Sequence, residues 1–142
     1  MSHPSSQIRS GASELRLVLG HLVRRLRAEY TFSVTQASVL SRLDRDGAQT
    51  TSALAAAERV RPQSMAQTLA ELEAEGLVSR RPDPADKRQV LIELTEGGRE
   101  RLRADRRRRE DWLSEAVAAE LTREEQETLL AAVPLLQRLA DR

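Results

Sequence analysis

Residues 77 to 94 constrain what this chain can fold into more than any other stretch. Leu77-Val78-Ser79-Arg80-Arg81 and Val90-Leu91-Ile92-Glu93-Leu94 are β-prone runs, and Pro82-Asp83-Pro84-Ala85-Asp86-Lys87-Arg88 lies between them. The prolines and aspartates forbid regular structure in the middle, so the segment predicts a hairpin with a long charged tip. Two short helical patterns come immediately before it. The first covers Ser52 to Glu58, capped by Thr50 or Thr51, with Leu54 and Ala55 inward. Arg59-Val60-Arg61 then leads to Pro62, which suits the first turn of a helix; the second pattern runs to Glu75 with Met65, Leu69 and Leu72 on one side. Gly76 ends it. Such helix pairs are common in helical proteins. Followed directly by a basic hairpin, this pair predicts a winged helix, with Lys87 and Arg88 where the hairpin tip could reach a phosphate backbone or a minor groove.

The flanking segments read as helices. From Ser6 to Tyr30, Ala12, Leu15, Leu19, Leu22, Val23 and Leu26 recur at spacings of three and four, one stripe of an amphipathic helix. Val34-Thr35 opens a second helix with Ala37, Leu40 and Leu43 inward, capped by Ser33 or Thr35 and stopped at Asp46-Gly47. After the hairpin, Thr95-Glu96 begins a long helix to about Ala119, with Leu102, Trp112, Leu113, Ala116 and Val117 as its expected buried residues. Thr122 and Glu125 have capping-box spacing at the start of a last helix, whose stripe is Leu129, Leu130, Val133, Leu136 and Leu139. Pro134 should kink that helix or end it early. The fold class is therefore mainly α, an α+β winged helix between N- and C-terminal helices. The expected division is an N-terminal helix over 1–32, a winged helix-turn-helix over 33–98 and C-terminal helices over 99–142.

Composition removes several classes of function. There is no cysteine, which excludes disulfides, cysteine-zinc sites, iron–sulfur clusters and thiol redox chemistry, and His3 and His21 are too few for a histidine metal cluster. Aromatic residues make up only 2% of the chain, which argues against base-stacking platforms. No glycine-rich phosphate loop or nucleophile with a histidine partner is present, so the chain does not read as an enzyme, and no cofactor is expected. No apolar run is long enough to span a bilayer, and Met1-Ser2-His3-Pro4 lacks a signal pattern. A cytoplasmic protein with no membrane partner is expected.

Net charge is only +1, but it is unevenly spread. From Gly76 to Arg109 eleven basic residues face six acidic ones, and from Glu110 to Arg142 three face eight. A +5 segment beside a −5 segment suggests one surface for a polyanion and another that is not. A pair of solvated helix faces accounts for the same charges. The Arg106–Arg109 run in particular reads as a solvated face.

Glu75-Gly76-Leu77-Val78-Ser79-Arg80-Arg81-Pro82-Asp83-Pro84-Ala85-Asp86-Lys87-Arg88, closed by Leu94-Thr95-Glu96-Gly97-Gly98, resembles the signature of the MarR family of bacterial transcriptional regulators. The likeness extends from about Ile8 to Leu139; the wing is its specific part. It implies a homodimer whose first and last two helices interlock, and binding of double-stranded DNA at a pseudo-palindromic operator. It also implies repression, often released by a small anionic or aromatic effector. One observation from the residues agrees: the terminal helices carry apolar stripes with no partner inside so small a domain. The stripe residues expected at a dimer interface are Leu15, Leu19, Leu22, Leu113, Val117, Leu129, Val133 and Leu136.

For DNA, the start of the helix at Pro62 should enter a major groove, with Gln63, Ser64, Gln67 and Thr68 able to donate and accept. Arg61 sits where a helix N-terminus meets a phosphate, although the family often has a small capping residue there. The family motif places an arginine such as Arg88 in the minor groove, braced by an aspartate at the position of Asp86. Lys87, Arg80 and Arg81 are expected phosphate contacts. An effector crevice would draw on His21, Arg25, Tyr30 and Trp112, each of which has an ordinary packing role as the alternative. The missing cysteines remove the peroxide-sensing branch of the family, and two histidines argue against the zinc-sensing one. Two further readings remain: a constitutive or architectural DNA-binding protein without an effector, and a winged helix used only for protein contacts.

Overall fold

The computed structural model describes residues 3–142; Met1 and Ser2, part of the N-terminal pattern read above, lie outside the described residues. In chain order the elements are α1 (Ser6–Arg27), α2 (Val34–Asp46), β1 (Gln49–Thr50), α3 (Thr51–Glu58), α4 (Pro62–Ala74), β2 (Val78–Pro82), β3 (Val90–Leu94), α5 (Glu96–Glu120) and α6 (Arg123–Ala140). Most helices begin where a hydroxyl can accept from an otherwise unpaired N–H. Ser5 accepts from Ile8, Ser33 from Gln36, Thr50 from Ala53 and Thr122 from Glu125. At Ser33 and Thr122 the third helical residue reciprocates, completing capping boxes.

The chain divides into two compact units, one made of the residues up to Glu29 with Arg108–Arg142, the other of Tyr30–Arg107. The second is the winged helix. Its antiparallel sheet has the order β1-β3-β2, with Val78 opposite Leu94, Arg80 opposite Ile92 and Gln49 also opposite Ile92. Val39, Leu40, Leu54, Met65, Leu69, Leu72 and Ile92 are wholly buried, and Leu102 of α5 closes the core with them. β3 buries Ile92 and Leu94 and leaves Val90 exposed, the alternation of a half-buried strand. Ion pairs brace the helices around this core. Glu58 of α3 accepts from Ser38 Oγ (2.8 Å) and Arg42 Nε (3.1 Å) of α2, and Arg106 of α5 reaches Asp44 (3.3 Å).

α5 leaves the sheet through a tight joint. Thr95 Oγ1 donates to the Gly76 carbonyl (2.6 Å) and accepts from the Gly98 N–H (2.9 Å), while the Thr95 N–H donates to the Leu77 carbonyl. Gly98 is buried against that carbonyl, where a side chain would collide with Leu77 and with Leu94 Cδ1 at 2.7 Å. In the other unit no described residue is fully buried. Leu19, Leu22, Leu129 and Val133 are 40%, 41%, 40% and 53% exposed.

Several expectations are corrected. α1 ends at Arg27, because its last turn tightens into bonds from Ala28 to Arg25 and from Glu29 to Leu26. β1 was not expected; two residues are too few to show a period. The buried positions of α5 are Gly98, Leu102 and Asp105; Trp112, Ala116 and Val117 are half-buried and Leu113 is 40% exposed, all four lying in the unit without a buried core. α6 does not end at Pro134 but continues to Ala140. Its Leu130 is 67% exposed, so the carbonyl that Pro134 leaves without a donor can turn to water.

Candidate nucleic-acid interface

α4 buries Met65, Leu69 and Leu72 against the lobe, and this fixes what its other side presents. Gln63, Ser64 and Gln67 are exposed and Thr68 is half-buried, and at helical spacing these four share one face, away from the core. The Thr68 hydroxyl donates to the Ser64 carbonyl (3.1 Å), so its acceptor lone pairs are what remain for a ligand. The N-terminus of α4 differs from those of α1, α2, α3 and α6. Arg61 occupies the N-cap and makes no side-chain cap bond, Pro62 follows, and the first turn holds no acidic residue. The positive helix end is therefore left uncancelled, next to an exposed guanidinium.

The wing is ordered at its tip by its aspartates. Asp83 Oδ1 accepts from the Ala85 N–H (2.9 Å) and Asp86 Oδ1 from the Arg88 N–H (3.0 Å), while the Asp83 N–H donates to the Gln89 carbonyl (3.0 Å). Asp86 therefore holds Arg88 by its backbone, and the guanidinium keeps its donors free. Lys87 and Arg88 are exposed and make no ion pair among the described residues. Arg80 and Arg81 differ: Arg80 Nε lies 2.6 Å from Glu73 of α4, and Arg81 Nε 2.9 Å from Glu93 across the sheet. These two are partly neutralised and tie β2 to its neighbours.

The residues proposed for an effector divide between the units. Arg25 lies 4.9 Å over the Trp112 ring and 3.7 Å from Glu29, and His21 is exposed one turn earlier on α1. Tyr30 is half-buried against the winged-helix core. Within the winged-helix unit an open cleft of about 550 Å³ is lined by Gly97, Glu100, Arg101, Arg103, Ala104 and Arg107. Arg101 stacks on Phe32 at 5.0 Å. Among the described residues there is no cluster suited to a metal ion, and no helix is long and apolar enough to cross a membrane.

The sequence reading passed over two residues. Asp105 is 1% exposed, and its Oδ1 accepts from the Thr31 N–H (2.9 Å) and hydroxyl (3.0 Å), pinning the loop before α2 onto α5. An aspartate between arginines in a charged helix gave no sign of burial. Arg59, in the turn between α3 and α4, has a left-handed backbone that no helical periodicity could reveal.

Comparison with known proteins follows the same outline. The family model for the MarR family matches residues 32–90. The chain is 43% identical over 133 residues to the uncharacterized HTH-type transcriptional regulator Mb0904 of Mycobacterium bovis, covering 92% of each chain. A crystal structure of a proposed transcriptional regulator from Pseudomonas aeruginosa PA01 superposes with a TM-score of 0.83 at 40% identity, covering 98% of this chain and 99% of that one. A mutant of MepR from S. aureus, solved bound to an oligodeoxyribonucleotide, shares the fold with a TM-score of 0.71 at 21% identity, over 92% and 96% of the two chains.

Proposed function

The chain belongs to the MarR family, and on that premise we propose that this DNA-binding helix-turn-helix transcriptional regulator is a homodimeric repressor of a pseudo-palindromic operator. The carrying observation is the α4 face: Gln63, Ser64 and Gln67 stand exposed behind an N-terminus that no side chain caps, opposite the buried Met65, Leu69 and Leu72. In this reading Gln63, Ser64, Gln67 and Thr68 face base edges, Arg61 and the first N–H groups of α4 take a phosphate, and Arg88 enters the minor groove. Lys87 adds a phosphate contact, and Arg80 and Arg81 contribute what their pairing with Glu73 and Glu93 leaves. The oligonucleotide bound to MepR, a protein of the same fold, supports DNA as the partner. The related chains are named as transcriptional regulators, which supports the same reading.

The dimer reading rests on the stripes of α1, α5 and α6. Leu15, Leu19, Leu22, Leu113, Leu129 and Val133 are each about two-fifths exposed or more, and Val117 and Leu136 border them half-buried. A second copy would cover these stripes, making 1–32 and 99–142 the dimerisation region around a winged helix over 33–98. Release by a small anionic effector is the accompanying proposal: Arg25 over Trp112 offers a cation and an aromatic face, and the arginine-lined cleft along α5 a positive concavity.

The deciding experiment is retention of sheared genomic DNA by the purified protein at about 0.15 M salt, followed by sequencing. A few enriched inverted repeats, with half-sites about one helical turn apart, are expected. Broad retention without a motif would replace the repressor reading with an architectural one.

A further inference from the structure

Arg59 stands where the fold asks for glycine. α3 closes with the Val60 N–H donating to the Ala55 carbonyl (3.0 Å) and the Arg59 N–H to that of Ala56 (3.2 Å), which sets Arg59 at φ 54°, ψ 42°. α4 closes with the same pair of bonds, Leu77 to Leu72 and Gly76 to Glu73, both 2.9 Å. There the left-handed position is held by Gly76, at φ 74°. Two successive helices thus end in one motif, and only α3 ends it with a Cβ that crowds its own backbone. Arg59 is the one non-glycine residue with positive φ among the described residues.

No described residue offsets that cost. The Arg59 side chain is exposed and makes no hydrogen bond or ion pair with a described residue. The adjacent carboxylate, Glu58, is already held by Ser38 and Arg42. The C-terminal dipole of α3 favours a cation, but a lysine or arginine anywhere in the last turn would gain the same attraction without a left-handed backbone. The turn itself is rigid, closed by two backbone bonds and by Val60 packing on the core.

We infer that Arg59 contacts a backbone phosphate of duplex DNA from the turn between α3 and α4. The inference rests on the DNA-binding reading above and adds a residue outside both the recognition face of α4 and the wing. A guanidinium presents two parallel donors to phosphate oxygens, and the set backbone of the turn leaves only side-chain freedom to be lost. Such a contact positions α4 and reads no base, so it strengthens binding to every sequence alike.

The test uses Arg59→Gly, which relaxes the backbone while removing the charge, with Arg59→Lys as the charge-retaining control. Binding of the full-length protein to a labelled random-sequence duplex and to a genomically retained fragment is titrated across salt concentrations. For Arg59→Gly the slope of log affinity against log salt should fall by about one per bound lobe, and affinity at 0.15 M salt by about five-fold per bound lobe on both duplexes. Its Tm should be no lower than that of the parent, and Arg59→Lys should keep the parental slope. An unchanged slope and affinity for Arg59→Gly would overturn the inference, as would a loss confined to the retained fragment. Failure of the parent protein to bind either duplex would instead overturn the DNA-binding reading, before any variant is compared.

Discussion

Arg88 shows how a neighbour's backbone bond can fix a turn and leave a side chain uncommitted. Asp86 spends its Oδ1 on the Arg88 N–H, so the turn is set while the guanidinium stays uncommitted. Arg88→Ala should therefore weaken operator binding by about 1–3 kcal/mol with the dimer and Tm unchanged, measured by fluorescence anisotropy at moderate salt. Equal binding by the variant would remove the wing from the interface. The motif after the wing gives a stability test. A side chain at Gly98 would collide with the Leu77 carbonyl oxygen and with Leu94, whereas one at Gly97 meets nothing closer than 3.6 Å. Helix propensity favours alanine at both positions by up to about 1 kcal/mol. Gly97→Ala should accordingly be neutral or stabilising, and Gly98→Ala should destabilise by about 2–3 kcal/mol in urea titration. Similar values for the two would show that the α5 joint yields easily. The two glycines look alike in the sequence, and only the joint tells them apart. Asp86, Lys87 and Arg88 were legible because proline and aspartate leave a turn few choices. Arg59 and Asp105 were not, since a left-handed turn and a buried carboxylate depend on partners distant in the chain or on the local path of the backbone.

Helices were more legible than strands, for a reason of length. α2, α4 and α6 repeat their apolar positions over three turns or more, and the cap residues Ser33, Thr50 and Thr122 mark their starts or that of α3. β1 has two residues and owes its place to β3, through Gln49 opposite Ile92. Pro134 does not end α6: its ring removes one N–H and crowds the Leu130 carbonyl, but α6 has no buried residue and that carbonyl can turn to water. The start of α6 gives a prediction in pH. The Thr122 N–H and hydroxyl hold the Glu125 carboxyl below its usual range, the backbone hydrogen bond having the larger effect. A lowered folded-state pKa means that the ionised carboxylate stabilises the helix above the ordinary carboxylate pKa, and that this is lost as pH falls through the depressed value. Glu125→Gln should therefore lower Tm near neutral pH, with the difference from the parent closing in acid, where both side chains are neutral. A difference that persists unchanged in acid would assign the effect to the side chain's shape. Thr122→Ala removes the hydroxyl acceptor at any pH and should cost about 1 kcal/mol throughout.

At the scale of the whole molecule, the two units face different demands. The winged helix closes its own core, from Phe32 and Leu40 to Ile92 and Leu102, and needs no second chain to bury it. The unit built from α1, the end of α5 and α6 has no fully buried residue, while Leu15, Leu19, Leu22 and Leu129 each stand about two-fifths exposed. Apolar stripes of that length on helices with no interior of their own call for a second surface, and a symmetric copy supplies one with matching stripes. If that is the interface, stability must depend on protein concentration, because association and folding are then linked. The parent Tm should rise with concentration, and Leu19→Asp, which would place a carboxylate among leucines, should abolish that dependence. In sedimentation equilibrium Leu19→Asp should run near the chain mass of 15.9 kDa and the parent near twice that. The effect on DNA follows from valency. One lobe alone loses the high effective concentration that engaging a first half-site gives the second, so Leu19→Asp should lose affinity for an inverted repeat by about two orders of magnitude or more. A duplex carrying a single half-site should be bound about as well as by the parent, because no side chain proposed to face DNA is changed. A Leu19→Asp protein that remained dimeric would move the interface away from α1, and one that was monomeric yet bound the inverted repeat at parental affinity would show that the operator is read by one lobe.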